Sequence, residues 1–264
     1  MDNDKRKVIF EAEGICKHFG GIQAVDNIDL KLYEGEIIAI VGDNGAGKST
    51  LIKIFSGVYR RDKGKIFING TEAKIENTLD ARNYGIETVY QDQGQGLVQN
   101  FNASLNLFLG REKVFSNFLG RVFKLVDYPY MRRETKKMFN MVGVDIKDIY
   151  AKVEQFSGGE KQSVVIGRAV YWGGKILIFD EPTNNLGVRQ ERNIIDLIKK
   201  LRKEQGVSII IISHNIAHVF ELVDRIVVLR NGKVVGERQK TETNINEIIS
   251  MITGVTLENN RNAM

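Results

Sequence analysis

The stretch Gly42-Asp43-Asn44-Gly45-Ala46-Gly47-Lys48-Ser49-Thr50 constrains this chain more than any other, because of what precedes and follows it. A glycine, four residues and then Gly-Lys-Ser is a phosphate-binding spacing, and the reading requires a strand before it and a helix after it. The apolar run Ile37-Ile38-Ala39-Ile40-Val41 supplies the strand, and Leu51, Ile52, Ile54 and Phe55 supply one apolar helix face ending at Gly57. Glycines at 42, 45 and 47 let successive N–H groups converge on an anion with no Cβ in the way. The helix beginning near Lys48 adds the positive end of its dipole. Lys48 is positioned for the β- and γ-phosphates of a nucleoside triphosphate, Ser49 for Mg2+ and Thr50 for a further phosphate contact. Asp43, Asn44 and Ala46 complete the loop that wraps the ligand.

Three further strands end in polar residues suited to that ligand. Lys175-Ile176-Leu177-Ile178-Phe179 is a buried strand ending in Asp180-Glu181. There Asp180 is expected to hold Mg2+ through water and Glu181 to polarise an attacking water. Val207 to Ser213 leads to His214, placed to hydrogen-bond a γ-phosphate, and Ile86 to Tyr90 delivers Gln91, placed to sense both metal and water. In open α/β sheets ligands gather at the carboxyl ends of strands. Strands alternating with helices predict a mostly parallel sheet. Residues 8–12 and 28–32 predict an antiparallel β flank, and Asn69-Gly70 and Asn231-Gly232 mark hairpins. Between the flank strands Phe19 is either a platform for a base or a core residue. His18 reads as a surface residue.

From Asp92 to about Gln155 the pattern changes to a glycine- and amide-bearing loop and short helical stretches near 104–109 and 131–142, an inserted helical lobe. Arg132, Arg133, Lys136 and Lys137 fall at helical spacing with Glu134 and read as a solvated face. Phe156-Ser157-Gly158-Gly159-Glu160 opens a helix running to about Trp172, with Ser157 as cap and the glycine amides as a second anion site.

A hydrophobic content of 42% and a charged content of 27% describe a globular chain with ample core, and the net charge of +5 is spread thinly, permitting an anionic partner without pointing to one. The single cysteine, Cys16, forms no intrachain disulfide, fits a reducing cytoplasm and reads as a small buried apolar residue. The charged start predicts no signal peptide, and apolar runs such as Ile209-Ile210-Ile211-Ile212 are too short to cross a bilayer. Membrane association is therefore expected to come through another chain.

Taken together, the phosphate loop 42–50, Gln91 after its strand, Ser157-Gly158-Gly159-Glu160, Asp180-Glu181-Pro182-Thr183 and His214 resemble the nucleotide-binding subunit of ATP-binding cassette (ABC) transporters. The resemblance covers nearly all of residues 8–240. It implies an α/β P-loop core with mostly parallel sheet, antiparallel β flank and inserted helical lobe. The expected layout is one domain over 1–264, with core and flank in 1–91 and 160–236, a helical lobe in 92–159 and a C-terminal tail in 237–264. Each ATP, with its Mg2+, would lie between one protomer's phosphate loop and the other's 157–160 signature in a head-to-tail homodimer that drives transmembrane permease subunits at the cytoplasmic face of the membrane. The permease would insert a helix beside the glutamine loop, and Phe101, Leu105, Leu107, Phe108 and Leu109 either meet it or fill the lobe's own core.

Residues 51–59, 81–91 and 186–190 look most like ATPases of simple-sugar importers of the ribose and fructose type, which implies an extracytoplasmic sugar-binding protein as an indirect partner. Those ATPases often fuse two cassettes, whereas one phosphate loop and one signature occur here. Two departures stand out: Phe156 and Glu160 replace the commoner Leu and Gln, and Gly187 stands where many members carry an aspartate that couples the two sites. An exporter or lipid-extracting ATPase is one alternative, and a nucleic-acid- or ribosome-associated cassette another. Paired cassettes or very long coiled coils mark the latter class and neither is present, so no nucleic-acid partner is expected.

Overall fold

The computed structural model describes residues 6–90, 96–143, 148–184 and 186–255. In chain order the strands are β1 Val8–Phe19, β2 Ile22–Tyr33, β3 Ile37–Val41, β4 Lys63–Ile68, β5 Thr71–Glu72, β6 Ile86–Val89, β7 Ile176–Asp180, β8 Ser208–Ile212, β9 Arg225–Arg230 and β10 Lys233–Gln239. The α-helices are α1 Lys48–Phe55, α2 Thr78–Asn83, α3 Ala103–Leu107, α4 Phe118–Phe123, α5 Tyr128–Val142, α6 Gly158–Tyr171, α7 Val188–Gln205, α8 Ile216–Leu222 and α9 Ile245–Thr253. Two compact units result: residues 1–88, 174–182 and 202–264 form the first, and 89–173 with 183–201 the second.

The first unit holds two sheets. Strands in the order β2-β1-β4-β5 form an antiparallel sheet, and β10-β9-β3-β8-β7-β6 a six-stranded one. Within the latter, β3 runs parallel to β8 and β9, and β7 parallel to β8, while β10 returns antiparallel on β9. The parallel strands read as unbroken apolar runs because both faces are covered: every residue of β3, β7 and β8 is buried. Phe10 of β1 meets Phe55 of α1 edge to face at 4.7 Å in the core that joins the antiparallel sheet to the parallel one. The flank strands are longer than the expected 8–12 and 28–32, since the chain continues pairing through register shifts up to Phe19↔Ile22.

A buried ion pair ties the strands at the far end of the parallel sheet. Arg225 at the start of β9 donates to both oxygens of Glu36 at 2.9 and 2.8 Å and to Lys31 O at 2.6 Å. Burial works against the guanidinium charge, but the bonds to Glu36 and the pull of Glu237 more than offset it and raise its pKa above the usual arginine range. Cys16 is buried, and its sulfur accepts the Asn27 amide at 3.3 Å.

In the second unit α3, α5 and α6 pack on one another. The approach of α5 to α6 is close because Gly167 has no Cβ: one placed there would meet the sulfur of Met138. Phe108 is the hub, edge to face with Tyr171 at 5.6 Å and Trp172 at 5.5 Å. Buried Asn106 satisfies itself by bonding both amide and carbonyl of Val98, at 2.7 and 3.0 Å. Leu107 and Phe108 are therefore core residues of this unit, whereas Phe101 and Leu109 remain exposed. Asp127 caps α5, whose basic residues Arg133, Lys136 and Lys137 face solvent as expected, while Arg132 is half-buried with its guanidinium 4.8 Å from the centre of the Tyr150 ring. Among the described residues no helix is long and apolar enough to cross a membrane.

Candidate functional site

Sheet register brings the first unit's polar residues together. Ile40 of β3 pairs with Ile212 of β8, and Ile212 with Asp180 of β7, so three parallel strands end in one row. The chain leaves that row as the 42–50 loop, as Ser213-His214 and as Glu181.

Two glycines fix the loop. Gly47 has φ +99°, and a Cβ there would lie 2.4 Å from Ala24 O of β2. Gly42 is as tightly placed: its Cβ would lie 2.2 Å from Leu229 O of β9. The β9–β10 turn braces the loop from outside, with Gly232 N donating to Ala46 O at 3.1 Å and Asp26 N to Gly232 O at 2.8 Å. A cavity of about 520 Å³ opens on the loop, lined by Asn44 to Thr50 together with Gln23, Ala24 and Asn231. Sequence reading missed the last three as site residues. Asn231-Gly232 carried only a hairpin signal, and nothing local shows that this hairpin ends against residues so distant in the chain.

Helix α1 begins at Lys48 with Gly47 as a cap that has no side chain to offer its amides. Lys48 is buried, and its ammonium donates to Gly42 O at 2.8 Å and Asp43 O at 2.9 Å, curling over the loop. Burial pushes it below the usual lysine range, against the pull of Glu181, Asp43 and Asp180. Asp180 is buried too; burial, then the neighbouring Glu181, raises its carboxyl above the usual range, opposed by Lys53 and Lys48. Glu181 has φ +52°, a left-handed conformation costly for a residue with a Cβ and enriched at functional sites. Its carboxylate meets His214 Nδ1 at 2.8 Å, and its amide donates to Ile212 O at 2.9 Å.

Phe19 is 42% exposed at the end of β1, so it is not a core residue. Its ring stands edge to face with Tyr59 at 5.2 Å, and Lys17 lies 5.5 Å from its centre. Asp62 holds that corner, accepting from Lys17 Nζ at 2.7 Å and His18 N at 2.6 Å. Tyr59 is a further aromatic that the sequence did not mark. Gln91, expected at the end of β6, lies outside the described residues, as does the loop expected around Gly94.

In the second unit Ser157 is the cap of α6. Its hydroxyl accepts Glu160 N at 3.3 Å and its own amide donates to Glu160 Oε2 at 2.8 Å, a capping box. Glu160 thus serves the helix start, and the Gly158 and Gly159 amides fall outside the i→i−4 ladder. Gly187 lies just before α7, its carbonyl accepting Gln190 N at 2.8 Å and Glu191 N at 3.0 Å.

A braced phosphate loop after β3, an acid pair at the end of β7 and, from β8 between them, a histidine fixed on the second acid define a P-loop ATPase cassette. The ABC transporter family model matches residues 25–184, and the chain belongs to that family. It is 39% identical over 249 residues to a xylose/arabinose import ATP-binding protein of Sulfolobus acidocaldarius, covering 94% of this chain and 95% of the relative. A fructose import ATP-binding protein of Rhizobium meliloti is 38% identical, with 93% and 94% covered. A ribose import ATP-binding protein of Caldanaerobacter subterraneus is also 38% identical, but the chain spans only 48% of its length. Among solved structures, a nucleotide-free ATP-binding cassette from an ABC transporter superposes with TM-score 0.75 at 25% identity, covering 94% of this chain and 95% of that one. The fold is that of ABC ATPases, as the sequence resemblance implied.

Proposed function

We propose that this chain is the ATP-hydrolysing subunit of an importer of a simple sugar, acting as a head-to-tail pair beneath permease subunits that receive the sugar from an extracytoplasmic binding protein. The observation that carries the catalytic half is Glu181, held by His214 at 2.8 Å beside an intact phosphate loop. The sugar half rests on likeness over nearly the whole length of two sugar-import relatives.

In this reading the amides of residues 42–50 and the Lys48 ammonium bind the phosphates, Phe19 stacks on the base, and Glu181 accepts a proton from the attacking water. His214 orients Glu181 through Nδ1 and hydrogen-bonds the γ-phosphate through Nε2; the ring donates to both only when it carries a proton on each nitrogen. Ser157, Gly158 and Gly159 of the partner protomer, with Glu160 holding their helix start, close over the same phosphate. Asp180, Ser49 and Gln91 are the oxygen donors assigned to Mg2+, which when bound with ATP neutralises phosphate charge. The residues suit it: carboxylate and hydroxyl oxygens are hard donors, and buried Asp180, with its raised pKa, gains from a nearby cation.

The test is reconstitution of the chain with its permease and binding protein in vesicles, assayed against pentoses, fructose and galactofuranose. ATP-dependent accumulation of one of these sugars, lost in Glu181→Gln, is expected. ATP hydrolysis that no sugar stimulates, with no accumulation, would overturn the import assignment while leaving the ATPase standing.

A further inference from the structure

No residue of the segment from Lys113 to Val126 lines the cavity on the phosphate loop. Phe115 N donates to Leu125 O at 3.0 Å and Asp127 N to Lys113 O at 2.7 Å, with a bridge between Val114 and Val126, so its two ends are clamped together. What lies between projects α4 with an apolar face to solvent. Phe118 is 79% exposed and Phe123 67%, and Leu119 and Val122 complete the face at one-turn spacing. Phe115 and Leu125 extend the apolar surface to the clamp. Isolated exposed apolar residues are ordinary, but a continuous stripe of them marks a contact surface.

The charge of the segment says which contact. Lys113, Arg121 and Lys124 fall within it and no carboxylate does. The nearest acids are occupied: Asp127 caps α5 through the Tyr130 amide at 2.9 Å, and Glu112 accepts the Gly110 amide at 3.0 Å. Around the stem Arg111 lies over Trp172 at 4.8 Å and Arg133 over Tyr130 at 5.4 Å. Phenylalanine and leucine on one face, lysines at both ends and no carboxylate within the segment are the pattern of a helix lying in the headgroup region of an anionic bilayer.

We infer that the 113–126 loop is a lipid-contact finger: α4 lays Phe118, Leu119, Val122 and Phe123 into the interface of an anionic membrane, and Lys113 and Lys124 meet lipid phosphates. Such a finger is too short to anchor the chain by itself. Its role is to add a second, weak attachment to whatever else holds the subunit at the membrane. The inference does not depend on the identity of the transported substrate or on Glu181.

The test uses the whole chain labelled at Phe118→Cys with an environment-sensitive fluorophore; the natural Cys16 is buried. Vesicles of phosphatidylcholine and phosphatidylglycerol at three to one should blue-shift the label and co-sediment the protein, in a manner weakened by salt, while pure phosphatidylcholine should do so far less. Since each basic residue near an anionic surface is worth roughly a fivefold change in partition, Lys113→Gln with Lys124→Gln should weaken co-sedimentation by about tenfold or more. Phe118→Ser with Phe123→Ser should abolish it while leaving circular dichroism and ATP turnover unchanged, both side chains being exposed. An unshifted label on the anionic vesicles would overturn the inference. So would a shift appearing only with the permease in lipid-free detergent, assigning the face to protein, or one that follows chain concentration without lipid, assigning it to a second copy.

Discussion

His214 Nδ1 lies 2.8 Å from Glu181 Oε2, and the backbone amide of His214 donates to the same oxygen at 3.3 Å. One carboxylate oxygen is thereby tied to the end of β8, while the Glu181 amide is tied to Ile212 of that strand. These bonds hold Glu181 in its left-handed backbone conformation, at the edge where the phosphate loop begins.

Glu181→Gln keeps the size and shape of that side chain but removes the proposed base. ATP binding should persist while hydrolysis falls by about 10²–10⁴. His214→Ala should lower turnover by loosening Glu181 and removing a donor to the γ-phosphate. Phosphate release and binding of a fluorescent ATP analogue measure both; near-normal turnover in Glu181→Gln would remove its assignment as the base.

Gly47→Ala tests the bracing of the phosphate loop. At φ +99°, with Ala24 O 2.4 Å from the added Cβ, the loop must move or β2 must give way. Because a left-handed non-glycine alone costs about 1–3 kcal/mol, the variant should melt at lower temperature and also lose nucleotide affinity. Lys48→Ala should lose affinity with a much smaller effect on melting. Equal melting of Gly47→Ala and the parent would show that the loop is not held where the structure has it.

The phosphate loop was legible because its chemistry is local: one strand, nine residues and one helix specify the turn. The acid pair and His214 were legible because they end fully apolar runs, which place them at a sheet edge without knowledge of strand order. The bracing by Ala24 and by the Asn231-Gly232 turn was not, since it exists only after β9 and β2 meet. Helix α7 left a readable signal in Ile194, Ile195, Leu197, Ile198 and Leu201, all buried and at helical spacing, though the strongly charged segment drew no assignment. Phe108 was ambiguous because apolarity alone does not say which surface a ring is buried against.

Arg225 and Glu36 form the buried ion pair whose loss should be felt furthest from the site. Arg225→Ala leaves buried Glu36 with the more distant Arg6 guanidinium at 3.7 Å and the Tyr33 amide at 3.0 Å, and should cost about 3 kcal/mol, the lower end for a broken buried pair. Replacing both, with Arg225→Met and Glu36→Leu, should recover much of that because neither charge remains to be desolvated. Urea unfolding of the two variants decides it: an equal loss in both would mean that shape rather than charge holds β9 against β3.

Asp62 sets an acid limit on the corner that carries Phe19. The Lys17 side chain and then the His18 amide depress its carboxyl to about 2. A carboxylate depressed in the folded state stabilises above its unfolded value near about 4, and that contribution fades as pH falls from there towards about 2. Asp62→Asn should therefore approach the parent in melting temperature across that window and differ from it most at neutral pH. A constant difference at every pH would show that the ion pair contributes nothing.

ATP, rather than apolar burial, should hold two copies together. In the proposed pair each phosphate loop would supply half of a site, with Lys48 and the start of α1 presenting positive charge, and each α6 would present first-turn amides capped by Ser157. Two positive surfaces repel without a ligand, and a triphosphate with Mg2+ replaces that repulsion with charge-assisted hydrogen bonds to both. A ligand shifts an equilibrium only through differential affinity, and in the proposed head-to-tail pair the contacts to the partner's Gly158 and Gly159 would form only on closure. The Glu181→Gln protein, which holds ATP unhydrolysed, should dimerise with ATP and Mg2+ and stay monomeric with ADP. Ser157→Arg should abolish that dimer, though it also removes a helix cap worth about 1 kcal/mol. Ser157→Asp removes the ambiguity: aspartate caps a helix as well as serine does, but it sets a negative charge against the γ-phosphate. It should fold, bind ATP as a monomer and fail to dimerise. Sedimentation velocity of these proteins with ATP, with ADP and without nucleotide is the measurement, and a parent chain equally dimeric in all three conditions would contradict the model.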